Sequence, residues 1–454
     1  MKLKFCGGAK NVSGANYLFK TEKTSFLFDC GMFQGTKEME EKNRRPFAYD
    51  PKKIDFVIIS HSHIDHIGRL PSLVKEGFAG KIYATPPTID FTRLLLEDSQ
   101  RLLEEKAAKA GVLSLIGPQD IDSMMDHFEP VEYGQEVKAS SDVRFTFHEA
   151  GHILGSCITK IFIQDKDREK IVVCSGDLGN YPVPILRAPA LIDKADYVLI
   201  ESAYGDRNHA EEAKNGKDML EDVVEETISR GGVLMIPSFA MERTQQLLYQ
   251  LNELIENRRI PRVPIFIDSP LAIKITRVYK KYENYFNRGA DNLIQSGDDI
   301  FHFPGLKFTE STEDSKKIND VPPPKIIIAG AGMSQGGRIV HHEKRYLSDP
   351  KNTLLIVSYQ AQGTPGRKLV EGERKVRFFD EEIEVKAQVI KNDSYSAHAD
   401  QTGLLGWLSF FQKPIRRVFV VQGEETAARA LAVKIRDEMG IDSDVPDPGE
   451  EVIL

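Results

Sequence analysis

The stretch VIISHSHIDHIGRLP, residues 57–71, carries His61, His63 and His66 within six positions. An apolar run precedes these histidines, which predicts a loop at the end of a buried strand. His61 and His63 are two positions apart, so in extended backbone their side chains point to the same side. Asp65 and His66 follow a tight bend and can face a second cation. Because zinc prefers imidazole and carboxylate ligands, the loop indicates a site for two metal ions. The alternative is a solvated polar loop, which the apolar strand before it and the helix entry after it disfavour.

Two more candidate ligands follow other predicted strands. The segment HEAGHILGS (148–156) places His152 in a glycine-flanked loop after the strand VRFTF. The segment KIVVCSGDLGN (170–180) places Asp177 at a strand end between two glycines, where a carboxylate can bridge two cations. Taken alone, Asp177 fits an ordinary turn equally well. The histidine cluster favours the role as a ligand.

Asp29, in TSFLFDCGMFQG (24–35), closes another predicted buried strand. We expect its carboxylate to anchor the ligand loop through hydrogen bonds, since metal ligands need such support. A helix or turn cap is the alternative role.

The composition limits the class of protein without deciding the function. A formal net charge of -8 does not indicate a nucleic-acid binder, although a local basic surface is compatible with it. The four cysteines are scattered and lack CxxC spacing, which predicts reduced buried thiols. The chain start lacks the apolar core of a signal peptide and no run approaches a membrane span, so we expect a cytoplasmic protein with no membrane contact.

The hydrophobic pattern divides the chain into three parts. Residues 1–205 alternate short strands with helices, among them a long helix over 87–109, which predicts an α/β sandwich. Residues 206–364 alternate strands and helices, which predicts an inserted parallel-sheet α/β domain. Within this part, residues 296–324 are polar and are expected to be irregular. Residues 365–454 return to strands and a final helix.

At this point the motifs resemble a known family. HSHIDH (61–66) resembles the HxHxDH signature of the metallo-β-lactamase fold, and Asp29, His152 and Asp177 follow in the matching order. The similarity extends to the β-CASP RNA-processing nucleases, which include RNase J and the endonuclease of the pre-mRNA 3′-end cleavage factor. It rests on IESAYGDRNH (200–209), PSFAMERTQQLLY (237–249) and YSAHADQTGLLGWL (395–408). The resemblance implies an αββα sandwich, 1–205 and 365–454, interrupted by a β-CASP domain, 206–364.

The resemblance also implies how the ligands are shared. His61, His63 and His152 would hold one zinc ion, while Asp65, His66 and the distant His398 would hold the other. Asp177 and a hydroxide would bridge the two. We therefore expect two Zn²⁺ per chain, with Mn²⁺ as the alternative, and assign catalytic roles to Asp65 and Asp177.

Two positions depart from the family pattern. Many members carry a histidine just after the stretch that reads SYQAQGTPGRKLV (358–370) here, where Arg367 and Lys368 stand instead. The proton donor for the leaving oxygen is therefore open between Glu201 with a partner and Lys368, and Glu201 fits a structural role equally well. The second departure is Gln422 in VVQGEE (420–425), where relatives often carry a histidine that the resemblance does not make a ligand.

Four residues of the insert are candidates for binding RNA phosphates. Arg243 and Arg338 could clamp phosphate, because a guanidinium matches it with two hydrogen bonds. Ser238 and Ser334 lie in predicted strand-to-helix turns and could donate to phosphate. Surface ion pairs are the alternative for the arginines and helix capping is the alternative for the serines.

The expected activity is hydrolysis of phosphodiester bonds in single-stranded RNA by a hydroxide held between two cations, as an endonuclease with exonuclease action left open. A small-molecule hydrolase such as a thioesterase or lactonase is one rival, and the large insert argues against it. A non-catalytic scaffold is another, and the complete ligand set argues against that. A homodimer is also expected.

Overall fold

The computed structural model describes residues 1–166, 168–209, 216–412 and 414–454. It contains two compact units: Met1–Asn208 with Ala397–Leu454, and His209–Ser396. The first junction lies close to the predicted one at 205/206. The second differs from the predicted 364/365, because the strand Gln388–Lys391 pairs in parallel with Thr353–Ile356 inside the second unit.

The strands of the described residues run throughout both units. In chain order they are β1 (Lys2–Gly7), β2 (Asn16–Lys20), β3 (Ser25–Phe28), β4 (Phe56–Ile58), β5 (Lys81–Ala84), β6 (Phe128–Pro130), β7 (Glu136–Lys138), β8 (Val143–Glu149), β9 (Cys157–Asp165), β10 (Arg168–Cys174), β11 (Tyr197–Ile200), β12 (Val233–Pro237), β13 (Ile265–Asp268), β14 (Leu306–Phe308), β15 (Lys325–Ala329), β16 (Thr353–Ile356), β17 (Lys375–Phe378), β18 (Glu381–Glu384), β19 (Gln388–Lys391), β20 (Arg417–Val420), β21 (Ser443–Asp444) and β22 (Glu451–Ile453).

The α-helices of the same residues are, in chain order, α1 (Lys37–Glu41), α2 (Ile64–Ile67), α3 (Leu70–Lys75), α4 (Pro86–Ala110), α5 (Pro118–Met125), α6 (Gly216–Ser229), α7 (Arg243–Glu256), α8 (Pro270–Lys281), α9 (Arg288–Gln295), α10 (Thr312–Lys317), α11 (Ile339–Tyr346), α12 (Pro365–Val370), α13 (Gln401–Leu408) and α14 (Glu425–Met439). None of the helices in this described part is long and apolar enough to cross a membrane.

The first unit is a sandwich of two sheets. Their strand orders are β22-β1-β2-β3-β4-β5-β6 and β21-β20-β11-β10-β9-β8-β7. Side chains from both sheets, such as Phe26 and Phe145, share one buried cluster. Helices cover the outer faces: Leu70 of α3 packs in a cluster with Val57, and Trp407 of α13 packs in a cluster with Val198. This is the predicted αββα sandwich, in which each sheet buries one face on the other sheet and one on helices.

The second unit is built on a parallel sheet with the order β14-β13-β15-β12-β16-β19. Every pair in it is parallel. All five residues of β12 are buried, as expected for a parallel strand that helices cover on both faces. The hairpin of β17 and β18 accompanies this sheet. The predicted inserted α/β domain is thus confirmed.

Candidate metal centre

The ligand loop leaves the sheet at the end of β4. Its backbone becomes helical at α2, whose N-cap is His63. The Nε2 atom of His61 lies 3.1 Å from Nδ1 of His63, and the two rings are nearly perpendicular, with centroids 4.8 Å apart. The two imidazoles therefore direct nitrogen atoms at one point, as their spacing in the sequence predicts.

Two other loops of the first unit bring His152 and Asp177 to the same point. His152 Nε2 lies 3.1 Å from His63 Nδ1. Asp177 Oδ2 lies 3.5 Å from Nε2 of both His61 and His152. The ligand atoms of these four side chains all lie within 4.8 Å of one another. Such a cluster of three nitrogens and one carboxylate oxygen has the composition of a zinc site.

The protonation states of these four side chains favour binding of a cation. Burial lowers the pKa of His61 and His152 well below the ordinary value and lowers the pKa of His63 to about 4. The three rings are therefore neutral near pH 7 and keep a lone pair for a metal. Burial acts to raise the pKa of Asp177, but His66 and His61 outweigh it and hold that pKa well below the usual range. Asp177 Oδ1 is buried without a hydrogen-bond partner among the described residues, an arrangement that a bound cation would satisfy.

Asp65 and His66 form the second part of the ligand loop. His66 Nε2 lies 3.5 Å from Asp177 Oδ1 and 3.7 Å from Asp65 Oδ2. On the other side of the ring, His66 Nδ1 lies 2.7 Å from Asp29 Oδ2. Asp29 also accepts hydrogen bonds of 2.8 Å from the amide and the hydroxyl of Ser60. The Asp29 carboxylate thus fixes both the loop backbone and the ring orientation of His66.

His398 lies just before α13, and its ring lies close to that of His152, with centroids 4.5 Å apart. Its Nδ1 atom is 3.2 Å from Glu201 Oε1 and 3.9 Å from Asp177 Oδ2. Against the effect of burial, the Glu201 carboxylate raises the pKa of His398 to about 9. Asp177, Glu201 and His398 form a second close group of ligand atoms in the described chain. The predicted grouping of His398 with Asp65 and His66 therefore stays a prediction.

Glu201 follows β11 and is fully buried. Its Oε1 atom accepts a hydrogen bond of 2.7 Å from the amide of Leu178, and its Oε2 atom accepts one of 3.2 Å from Ala203. Burial raises the pKa of Glu201 above the ordinary value. These hydrogen bonds fix the Glu201 carboxylate to the backbone next to Asp177. The fixed carboxylate in turn orients the ring of His398.

Gln422 is part of this centre, although the sequence interpretation gave it no role. Its Nε2 atom lies 3.3 Å from Asp65 Oδ2 and 3.1 Å from His66 Nε2. The signal in the sequence is its position, because Gln422 comes directly after the apolar run of β20 and before a glycine. The candidate ligands His61 and Asp177 occupy the same kind of place, at the end of a buried strand.

The candidate phosphate-binding residues all lie in the second unit, where most are engaged by other groups. Arg338 donates hydrogen bonds of 2.8 Å to Asp268 Oδ1 and to the carbonyls of Thr309 and Glu310. Arg243 is buried and donates to Gln246 Oε1. Arg338 thus forms an ion pair with the buried Asp268, and phosphate binding by the two arginines stays a prediction.

The two candidate serines of this unit are buried as well. Ser238 Oγ lies 3.0 Å from Thr244 Oγ1, and Ser334 Oγ donates to Glu343. Lys368 of α12 differs from them, because its side chain is half exposed and its Nζ atom lies 4.0 Å from Glu373. Phosphate binding by the serines and proton donation by Lys368 stay predictions.

Comparisons with known proteins match three successive parts of the chain. A metallo-beta-lactamase superfamily domain matches residues 18–176, a Beta-Casp domain matches residues 244–369, and a Zn-dependent metallo-hydrolase RNA specificity domain matches residues 382–446. A solved structure of a protein of unknown function from Enterococcus faecalis, 11% identical, covers 100% of this chain and 99% of its own with a TM-score of 0.58. At that identity the structural likeness concerns the fold alone.

Other relatives are more similar in sequence. A ribonuclease of Thermus thermophilus is 38% identical over 95% of this chain and 95% of its own. An RNase J-like protein of Methanocaldococcus jannaschii is 32% identical over 98% of each chain. A transcription termination factor of Methanosarcina mazei is 33% identical over 96% of this chain and 69% of its own. The chain therefore belongs to the β-CASP family of metallo-hydrolases with the metallo-β-lactamase fold.

Proposed function

We propose that this protein is a metal-dependent ribonuclease that hydrolyses phosphodiester bonds of single-stranded RNA. The observation that carries the proposal is the convergence of His61, His63, His152 and Asp177. This group combines three neutral imidazoles with a buried carboxylate oxygen that has no hydrogen-bond partner within the described part of the chain. The names of the Thermus and Methanocaldococcus relatives support RNA as the substrate. Cleavage within the strand is proposed, and trimming from an end is left open.

The cofactor we propose is zinc, with manganese as the alternative. His61, His63, His152 and Asp177 would hold the first cation. Asp65 and His66 would supply a second position that shares Asp177, with His398 as its predicted further ligand. When bound, such cations ionise a water molecule near neutral pH and neutralise the charge that develops on phosphate oxygens.

The protein groups around the ligands have supporting roles. Asp29 holds His66 so that Nε2 faces Asp177, and the carbonyl of Ala397, 3.1 Å from His152 Nδ1, directs Nε2 of His152 at the centre. Glu201 with His398 is the proposed source of the proton for the leaving oxygen, and Lys368 is the alternative. The 3.2 Å contact between His398 Nδ1 and Glu201 suits this role, and it suits the predicted role of His398 as a ligand through Nε2 equally well, because ligating histidines usually donate their other ring nitrogen to a carboxylate.

Several expectations from the sequence accompany the proposal as predictions. Arg243, Arg338, Ser238 and Ser334 are the predicted phosphate contacts. A homodimer and a cytoplasmic location are predicted too.

The proposal is tested by incubating the zinc-loaded protein with end-labelled single-stranded RNA and, in parallel, with a thioester. We expect internal RNA cleavage that a chelator abolishes and that added zinc restores, with no thioester hydrolysis. Intact RNA after incubation with metal-loaded protein would overturn the proposal, and rapid thioester hydrolysis would favour the small-molecule rival.

A further inference from the structure

The metal centre has two halves, one formed by His61, His63, His152 and Asp177 and the other by Asp65 and His66. They differ in the side chains that surround the ligand atoms. The first half is closed by three histidines and Asp177. In the second half, the ligand atoms of Asp65 and His66 face a side-chain amide, because Gln422 Nε2 lies within 3.3 Å of both. Gln422 is 4% exposed, and the φ angle of 51° at this residue places it in the left-handed region of the backbone. The burial and the fixed backbone of Gln422 make its side chain a constant part of the metal centre.

Hydrogen bonds at both ends fix which way the amide points. Gln422 Nε2 lies 2.9 Å from the carbonyl oxygen of Val12, so this end must be the NH₂ group. At the other end, the hydroxyl of Tyr17 donates to Gln422 Oε1 over 3.3 Å. Turning the amide over would place two acceptors, Oε1 and the Val12 carbonyl, against each other. The group that faces Asp65 and His66 is therefore a hydrogen donor, which cannot coordinate a cation.

We infer that Gln422 makes the two cation positions unequal. The position held by His61, His63, His152 and Asp177 binds a cation tightly, and the position beside Asp65 and His66 binds one weakly, since an amide N–H faces the ligand atoms of Asp65 and His66 and competes with a cation for them. This inference rests on the proposed metal site but not on RNA as the substrate. It predicts that one cation per chain survives removal of free metal.

The same geometry predicts that one substitution repairs the second position. In Gln422→His an imidazole nitrogen replaces the amide, and in Gln422→Glu a carboxylate oxygen does so; both are zinc ligands. Gln422→Met has a similar length and lacks a suitable hard ligand, so it should leave the second position weak.

The test is metal analysis of the full chain. Metal-free protein is loaded with excess zinc and dialysed against zinc-free buffer, and zinc is then measured per chain by mass spectrometry. We expect one zinc ion in the wild type and in Gln422→Met, and two in Gln422→His and Gln422→Glu. Gln164→His, which adds a histidine on the exposed end of β9, should remain at one.

Circular dichroism and thermal melting show whether each variant folds. If Gln422→His does not fold, the zinc content of Gln422→Glu decides the question. Two tightly held zinc ions in the wild type would overturn the inference. So would a single zinc ion in both repaired variants when they are folded. A wild type that retains no zinc would overturn the proposed metal site itself, and the inference with it, whereas the loss of RNA cleavage alone would leave the inference standing.

Discussion

Asp29 orients the ligand loop, because its buried carboxylate contacts both Ser60 and His66. Asp29→Asn keeps the shape but replaces one acceptor oxygen with an NH₂ group, so His66 loses its fixed orientation. We expect the affinity for zinc to fall by about 10–100-fold, the usual effect of removing such a supporting group. Competition with a chromophoric chelator measures this affinity.

Asp55→Asn is the matched control, because Asp55 is exposed and accepts a hydrogen bond of 2.7 Å from the Ser25 amide. It should bind zinc like the wild type. Equal affinities in all three proteins would contradict the supporting role of Asp29.

Glu343 of α11 predicts a pH dependence of stability. Burial raises its pKa from 4.5 to about 8, although Ser334 donates to it. Between these two values the folded chain holds a proton that the unfolded chain has released. Its stabilising contribution is therefore fully present below the unfolded pKa, and it is lost as the pH rises through the folded pKa.

Glu343→Gln has no carboxyl group to titrate, so the free energy of unfolding should fall less steeply as the pH rises through about 8. Each kcal/mol regained raises the melting temperature by roughly 2–4 °C for a unit of about 150–250 residues, such as the second unit, His209–Ser396, which contains Glu343. We expect the variant to melt higher than the wild type at about pH 9 and to show no such gain at about pH 5. Glu225→Gln, on the exposed side of α6, is the control. The same difference between variant and wild type at both pH values would contradict the burial argument.

At the residue scale, the sequence was informative wherever a ligand follows its own apolar strand. His61, His63, His152 and Asp177 were selected for that reason, and their ligand atoms meet within 4.8 Å. The pairing of His398 with Glu201 depends on residues about 200 positions apart, which local spacing does not reveal. Gln422 stands out in the sequence only as a departure from the family pattern and has no role there, because an amide is not among the usual zinc ligands.

At the element scale, the position of α2 depends on a glycine in the neighbouring loop. A Cβ atom added at Gly31 would lie 1.5 Å from the carbonyl oxygen of Asp65, which is backbone and cannot swing away. Gly31→Ala should therefore displace α2, with Asp65 and His66, at a cost of about 1–3 kcal/mol or more. Chemical denaturation together with the zinc content should show reduced stability and weaker zinc binding.

The control for this substitution is Gly406→Ala in α13, where an added Cβ meets nothing within 4 Å. Since alanine is the better helix former, that variant should gain about 0.5–1 kcal/mol. A Gly31→Ala protein as stable as the wild type would contradict the close approach of the two backbones.

Long periodic helices and apolar strands were predictable from the sequence, whereas short strands in polar segments were not. The helix expected over 87–109 is α4, Pro86–Ala110, with Thr85 as its N-cap and Gly111 ending it at a φ of 68°. The segment 296–324, expected to be irregular, contributes β14 and α10. β14 has three residues, and it is a strand because it pairs with β13, a long-range contact that its own composition does not encode. The shifted second junction has the same cause in β19.

At the scale of the whole molecule, every candidate cation ligand belongs to the first unit. A ligand that binds the folded state stabilises it by RT ln(1 + [L]/Kd), which is about 2.7 kcal/mol at a hundredfold excess over Kd. We expect zinc to slow hydrogen–deuterium exchange in peptides covering residues 57–66, 150–155 and 174–178. Exchange in β12 and β15 of the second unit should change far less, and uniform protection of both units would contradict the assignment.

The central claim is that hydrolysis of RNA depends on a cation held by His61, His63, His152 and Asp177. The most direct measurement is zinc content and RNA cleavage rate on the same preparations of wild type, His152→Ala and His148→Ala. His148 is the matched control, since it lies four residues away and its Nε2 contacts Thr146 Oγ1. We predict that His152→Ala loses zinc and cleaves at least about 100-fold more slowly, while His148→Ala behaves like the wild type. A folded His152→Ala protein that lacks zinc yet cleaves RNA at the wild-type rate would contradict the account.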